Sequence, residues 1–270
     1  MLKIEANWID LRYLDALATQ NTFIHRINPC VKLITTLFFI IAVTSFSKYE
    51  ITGLLPFFLF PATLLSLGNL PPSLILKRLL LVAPFILFIG IFNPLFDHTP
   101  VVKIGSLVIT GGWVSFLSIT IRLCLTITTA LILVATTGVD AIGSALLRIG
   151  VPKIIVIQLL FMYRYLHVLV EEFVRCVTAY SLRSFHGDGI KFRAWGSLLG
   201  QLLLRSIDRA NRIYQSMLCR GFDGEVRLLR TTTITTSDIC YLIFWLVFFL
   251  LIRWFDIPEL LGKLLMGVYK

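Results

Sequence analysis

The chain has 270 residues, of which 57% are hydrophobic and 15% charged, and 21 are Phe. Its mean hydropathy is +0.86, more apolar than a chain of this length can enclose, so much of its surface must face lipid. An ordinary soluble domain, a disordered chain, collagen and a coiled coil are thereby excluded.

Twenty-five Lys and Arg against 15 Asp and Glu give a net charge of +10. In a lipid-embedded chain such an excess more often marks cytoplasmic loops than a nucleic-acid surface. The five cysteines, Cys30, Cys124, Cys176, Cys219 and Cys240, are odd in number and scattered, with no CxxC pair. Free thiols are expected, not a disulfide framework. The opening Met1-Leu2-Lys3-Ile4-Glu5-Ala6-Asn7 has no apolar core and does not read as a secretory signal.

In chain order, Trp8, Leu11, Leu14 and Leu17 space out an amphipathic turn or two at the membrane interface. A bilayer core needs about 20 apolar residues per helix, and spans are expected at 31–46, 51–67, 79–96, 113–135 and 239–255. Pro56, Pro61 and Pro84 fall inside spans, where neighbouring helices can satisfy the freed carbonyls. Residues 101–110 alternate around Gly105-Ser106 and predict a small external hairpin. Arg122 lies ten residues into the fourth span. An intramembrane arginine is a functional candidate by default, and Arg122, with Arg164 in the interrupted stretch 154–170, is a candidate for structural pairing or mechanical coupling.

A further stretch, 154–170, is apolar but interrupted by Gln158, Arg164 and His167. With the N-terminus inside and 154–170 not spanning, residues 1–32, 68–78 and 138–237 are cytoplasmic and hold 19 of the 25 Lys and Arg. If 154–170 spanned, ten basic residues between Arg175 and Arg230 would move outside, against the positive-inside rule. An arginine at mid-bilayer also costs roughly 2.5–3.5 kcal/mol. The expectation is therefore five spans, with 154–170 lying along or under the membrane face. The domains follow as 1–137, a membrane bundle; 138–237, a cytoplasmic insert; and 238–270, the last span and tail.

The insert carries two helical stripes. One is Leu166, Leu169, Val170, Phe173, Val174 and Val177. The other is Trp195, Leu198, Leu199, Leu202, Leu203, Ala210, Ile213, Tyr214 and Met217, with Arg205, Asp208, Arg209, Arg212 and Gln215 on the opposite face. The helices end alike: Leu182-Arg183-Ser184-Phe185-His186-Gly187-Asp188 and Cys219-Arg220-Gly221-Phe222-Asp223-Gly224. The glycines suit left-handed caps, and a terminal Arg favours the helix dipole. That accounts for either end alone. The duplication fits two copies of one partner, each receiving a rigid guanidinium fork.

The chain resembles the transmembrane (T) component of energy-coupling factor ABC importers, in the cobalt/nickel, CbiQ-like branch. The resemblance is carried by residues spread over most of the sequence. These are His25-Arg26-Ile27-Asn28-Pro29-Cys30-Val31-Lys32-Leu33, Thr136-Thr137-Gly138-Val139-Asp140, Leu147-Arg148-Ile149-Gly150-Val151-Pro152, Tyr163-Arg164-Tyr165-Leu166, Glu171-Glu172 and the two Arg-tipped ends. Cys30 stands where the family often has Arg. The resemblance implies an all-α membrane protein with long cytoplasmic coupling helices. Leu182-Arg183-Ser184 and Cys219-Arg220-Gly221 would be its X-Arg-X tripeptides, commonly Ala-Arg-Gly, which dock on two cytosolic ATPases. It also implies a separate substrate-binding membrane subunit, uptake of cobalt or nickel ions, and a bacterial or archaeal cell membrane. A T component serving a vitamin importer is the nearest alternative.

No GxxxxGK[ST] loop occurs, so any ATP would be hydrolysed by other chains. His25, His98, His167 and His186 are far apart and form no metal motif, and Asp97-His98 reads as a solvated loop. No bound cofactor, no metal site, no catalytic residue and no nucleic-acid partner are expected. A membrane-embedded lipid transferase would need clustered acids or histidines, and a stand-alone ion carrier would need polar residues along several spans. Asp188-Gly189 with Arg193 lacks the spacing and acidic pair of a lipid phosphotransferase.

Overall fold

A computed structural model describes residues 17–20, 22–47, 50–92, 94, 100–104, 107–183, 192–224 and 234–254. These residues form helices, one hairpin and the turns between them, and the chain is an all-α integral membrane protein. Three helices, Gly111–Thr137, Lys153–Arg183 and Thr236–Trp254, are long and apolar enough to cross a membrane, and shorter apolar stretches lie at Pro29–Thr44 and Thr52–Leu67. The chain divides into two compact units. One comprises Ile9–Ala145 with Thr232–Lys270, and the second contains Leu146–Thr231.

In the first unit a short turn, α1 (Phe23–Arg26), leads into α2 (Pro29–Thr44). The start of α2 is dictated by its sequence. Asn28 accepts the Cys30 N–H at 3.0 Å, and Pro29 occupies the first helical position, where no N–H is needed. The second expected span begins as a 3-10 stretch, Thr52–Phe58, and becomes α-helical only at α3 (Leu59–Leu67). Pro56 denies an N–H to the regular ladder there, which favours the tighter winding. Asn69, with φ at 48°, and the bond from Leu70 N–H to Leu65 O close α3.

Helix α4 runs Pro72–Gly90, seven residues ahead of the expected start at 79. Pro71-Pro72 is a ready N-terminus, so Lys77 and Arg78 lie within the helix, not in a loop before it. Strands β1 (Pro100–Ile104) and β2 (Leu107–Thr110) pair antiparallel with Ile104 opposite Leu107 and a bulge between Pro100 and Val102. This is the hairpin the alternation predicts. Helix α5 (Gly111–Thr137) follows, and Gly138, at φ +74°, turns the chain into α6 (Val139–Ile149).

The core of this unit is aromatic. Phe39, Phe57, Phe60, Trp245 and Phe249 are buried, with ring centroids 4.8 Å apart for Phe39–Phe60 and 4.7 Å for Phe60–Trp245. Offset and edge-to-face pairs of this kind add to the area they bury. They join α2, the 52–67 segment and the last helix, α9 (Thr236–Trp254).

The second unit holds the end of α6, then α7 (Lys153–Arg183) and α8 (Phe192–Cys219). The Val151 N–H bonds Leu146 O and the Gly150 N–H bonds Leu147 O, with Gly150 at φ +101°. This stop is reinforced by Pro152. The sequence divided α7 into a doubtful apolar stretch and a separate amphipathic helix from Leu166. The structure makes them one helix of 31 residues. Gln158, Arg164 and His167 interrupt the hydropathy but are compatible with the helical backbone. Its apolar half makes α7 long enough to span, a property the topology argument assigned to other helices. Residues 8–16, the loop around His98, and 184–191 lie outside the described residues.

Candidate coupling site

Helices α7 and α8 pack antiparallel. Phe173 stacks on Trp195 at 6.1 Å, Glu172 meets Arg205 and Arg209, and Phe161 and Tyr165 share a cleft with Ile213 and Met217. Residue numbers thus rise along one helix as they fall along the other. The two predicted docking arginines consequently sit at opposite ends of the pair. Arg183 ends α7 beyond the Phe173–Trp195 contact, while Arg220 lies beside Arg164 and Phe161. At about 1.5 Å per residue the separation along the pair is roughly 30 Å.

Both ends are presented outward. Leu182 is 82% exposed, and Arg183, Cys219, Arg220 and Gly221 are also exposed. Ser184 lies outside the described residues. The second end is built by a two-bond cap: Phe222 N–H donates to Met217 O at 3.1 Å and Gly221 N–H to Leu218 O at 3.0 Å, with Gly221 at φ +78°. Arg220 occupies the cap position itself. Nothing lies within 4 Å of where a Gly221 Cβ would stand, so Gly221→Ala should cost only the left-handed backbone strain, about 1 kcal/mol. Faster hydrogen exchange of the amides around 220–222 would register it; unchanged exchange would show that the cap does not hold this tip.

Midway along the pair, Glu172 gathers three arginines. It bonds Arg205 directly and lies 3.9 Å from both Arg175 and Arg209. Its side chain is only 14% exposed. The Arg205 hydrogen bond, opposed by partial burial and aided by the charges of Arg205, Arg175 and Arg209, holds the Glu172 carboxyl below the usual carboxylate range. The sequence stripe placed Arg205 and Arg209 on the outer face of α8 but gave them no partner. A carboxylate at the centre of α7 was the available signal.

Arg164 and Arg122 fall in different units. Arg164 lines the α7–α8 cleft. Arg122 donates from Nη2 to Ser47 O at 2.8 Å and to Ser118 Oγ at 3.2 Å. Arg253 adds a bond to Ser45 O at 3.2 Å while lying 4.6 Å from the Phe46 ring centroid. Two cations thus satisfy carbonyls at and just beyond the C-terminus of α2, where the dipole favours them.

Sequence reasoning missed a second polar junction in the membrane bundle. Asp238 in the first turn of α9 accepts the Asn28 N–H at 2.9 Å and the Thr235 N–H at 2.8 Å. Lys32, 4% exposed, donates to Thr136 O at 3.0 Å, at the C-terminus of α5. Three helix ends therefore meet at His25–Leu33 and Thr136, positions the resemblance had quoted only as motif. Among the described residues no group of three or more His, Cys, Asp or Glu is placed to hold a metal.

The fold is thus that of an all-α membrane protein, one unit of which exposes two arginine-tipped helix ends. The cobalt transport protein family CbiQ matches residues 20–232 of this chain, and the chain belongs to that family. It is 32% identical over 100 residues, 37% of this chain and 41% of the relative, to the cobalt transport protein CbiQ of Rhodobacter capsulatus. Two uncharacterized proteins of Methanocaldococcus jannaschii, MJ1571 and MJ1089, are 25% and 26% identical over 245 and 243 residues. Those alignments cover 86% and 87% of this chain, and 82% and 89% of the relatives. The resemblance to the T component of energy-coupling factor importers is thereby established.

Proposed function

We propose that this chain is the non-catalytic coupling subunit of an ATP-driven importer for cobalt or nickel ions. Leu182-Arg183-Ser184 and Cys219-Arg220-Gly221 each engage one of two cytosolic ABC ATPases, which hydrolyse the ATP. Closure of the ATPase pair displaces the two tips, and the displacement is passed to a metal-selective membrane subunit that releases its ion inward. The N-terminus and 138–237 face the cytoplasm, so 138–237 forms the coupling domain between the membrane segments 1–137 and 238–270.

The observation that carries this reading is the pair of exposed arginine tips set roughly 30 Å apart on one clamped antiparallel hairpin. One tip suffices for one partner; two at opposite ends suit two like partners. The exposed apolar neighbours Leu182 and Leu218 provide burial around each guanidinium. Charge reversal at both tips, Arg183→Glu with Arg220→Glu, is expected to abolish copurification of the ATPases while the chain still inserts in the membrane. Full ATPase recovery with the double variant would refute the proposal.

A further inference from the structure

The cleft between α7 and α8 has a volume of about 660 Å³ and is lined by four arginines, Arg164, Arg209, Arg212 and Arg220. Arg209 faces Glu172 at 3.9 Å. Arg164, Arg212 and Arg220 have no carboxylate partner among the described residues. Like charges gathered in one cleft repel one another unless an anion neutralises them, and guanidinium forks match a phosphate bidentately. The remaining walls are Phe161, Tyr165, Ile213 and Met217, which are apolar or amphipathic, and the hydroxyl-bearing Ser216.

The position of the cleft selects the anion. It opens beside the apolar half of α7, shortly before the polar half begins at Glu171. On the cleft side that apolar half exposes Ile154 at 81%, with Ile157 half-buried below Phe161. Ile154 precedes Phe161 by two helical turns and so shares the face that lines the cleft. Guanidiniums at one level with an exposed apolar strip leading away from them match an amphiphile with a charged head and a hydrocarbon tail. Free phosphate has no use for the strip, whereas a phospholipid carries the anionic head and the tail on one molecule.

We infer that this cleft binds the headgroup of an anionic phospholipid, with Arg164 and Arg212 on the phosphate from either helix and an acyl chain along the 154–161 face. The inference rests on the membrane class of the chain and not on ATPase docking. A bound lipid would bridge α7 and α8 at the end remote from the Phe173–Trp195 contact.

Native mass spectrometry of the detergent-purified full chain tests it, with phosphatidylglycerol or cardiolipin against phosphatidylcholine. The anionic lipids should be retained preferentially, and Arg164→Gln with Arg212→Gln should weaken retention by about tenfold or more. Both residues are exposed, so the variant should keep its helical content by circular dichroism; the paired Lys variant, which preserves charge without the fork, should fall between. Equal retention of phosphatidylcholine, or anionic-lipid retention unaffected by the Gln pair, overturns the inference. So does full displacement by inorganic phosphate, which would assign a soluble anion, or by an acidic helical peptide, which would assign a protein. ATPase copurification, scored separately on Arg183→Glu, distinguishes failure of this site from failure of the coupling role.

Discussion

Asp238→Ala should destabilise the membrane bundle by about 3–5 kcal/mol, the range for removing one partner from a buried, hydrogen-bonded charge cluster. The carboxylate is 4% exposed and accepts from both Asn28 and Thr235. Without it two backbone N–H groups lose their acceptor. The nearby Lys32 ammonium also loses its counter-charge. Lys32 keeps Thr136 O, but a carbonyl alone is weak compensation for a buried cation. Asp238→Asn restores one acceptor but no charge and should fall between. Thermal unfolding in detergent reads the difference. A variant as stable as the parent would show that the α2, α5 and α9 ends are held by the buried apolar core alone.

The second large effect is expected at Glu172. Glu172→Arg replaces the shared acid with a fourth guanidinium beside Arg175, Arg205 and Arg209. The helices should part at their middle, with limited proteolysis in α8 accelerated by about tenfold and transport lost. Glu172→Gln should open the pair less. The pH dependence has a definite sign. The folded carboxyl titrates below its unfolded value, so the clamp's contribution is complete above the unfolded carboxylate pKa of about 4.3 and fades as pH falls through the lower folded value. The parent should therefore resist protease equally at pH 7 and pH 5 and loosen only in stronger acid. Loosening already at pH 5 would contradict the clamp.

Much of the fold was legible because it depends on composition and period. Apolar length located 29–44, 111–137 and 236–254 to within a few residues, and Gly221 marked the end of α8. Boundaries governed by proline were missed: Pro56 produced a 3-10 stretch, and Pro71-Pro72 started α4 early. The continuity of α7 was hidden for a different reason. Hydropathy changes sharply near Glu171, yet backbone geometry does not respond to which side of a helix is wet. The arginine tips were visible as a repeated local pattern. Their opposite placement was not, since it depends on the Phe173–Trp195 and Glu172–Arg205 contacts, which pair residues 22 and 33 positions apart. Asp238 and Asn28 meet across 210 positions, a proximity that no local period encodes.

Two stiff rods pinned near their midpoints have one soft way to move: they swing about the pin like scissor blades. With Glu172 as the pivot, pressure on the Arg183 end of α7 would turn α7 against α8, whose far end carries Arg220. In the proposed coupling role, a linear approach of two partners would thereby become a change of crossing angle. The device needs no flexible joint inside either blade, only a rivet that bends without breaking, and a multi-pronged ion pair provides one.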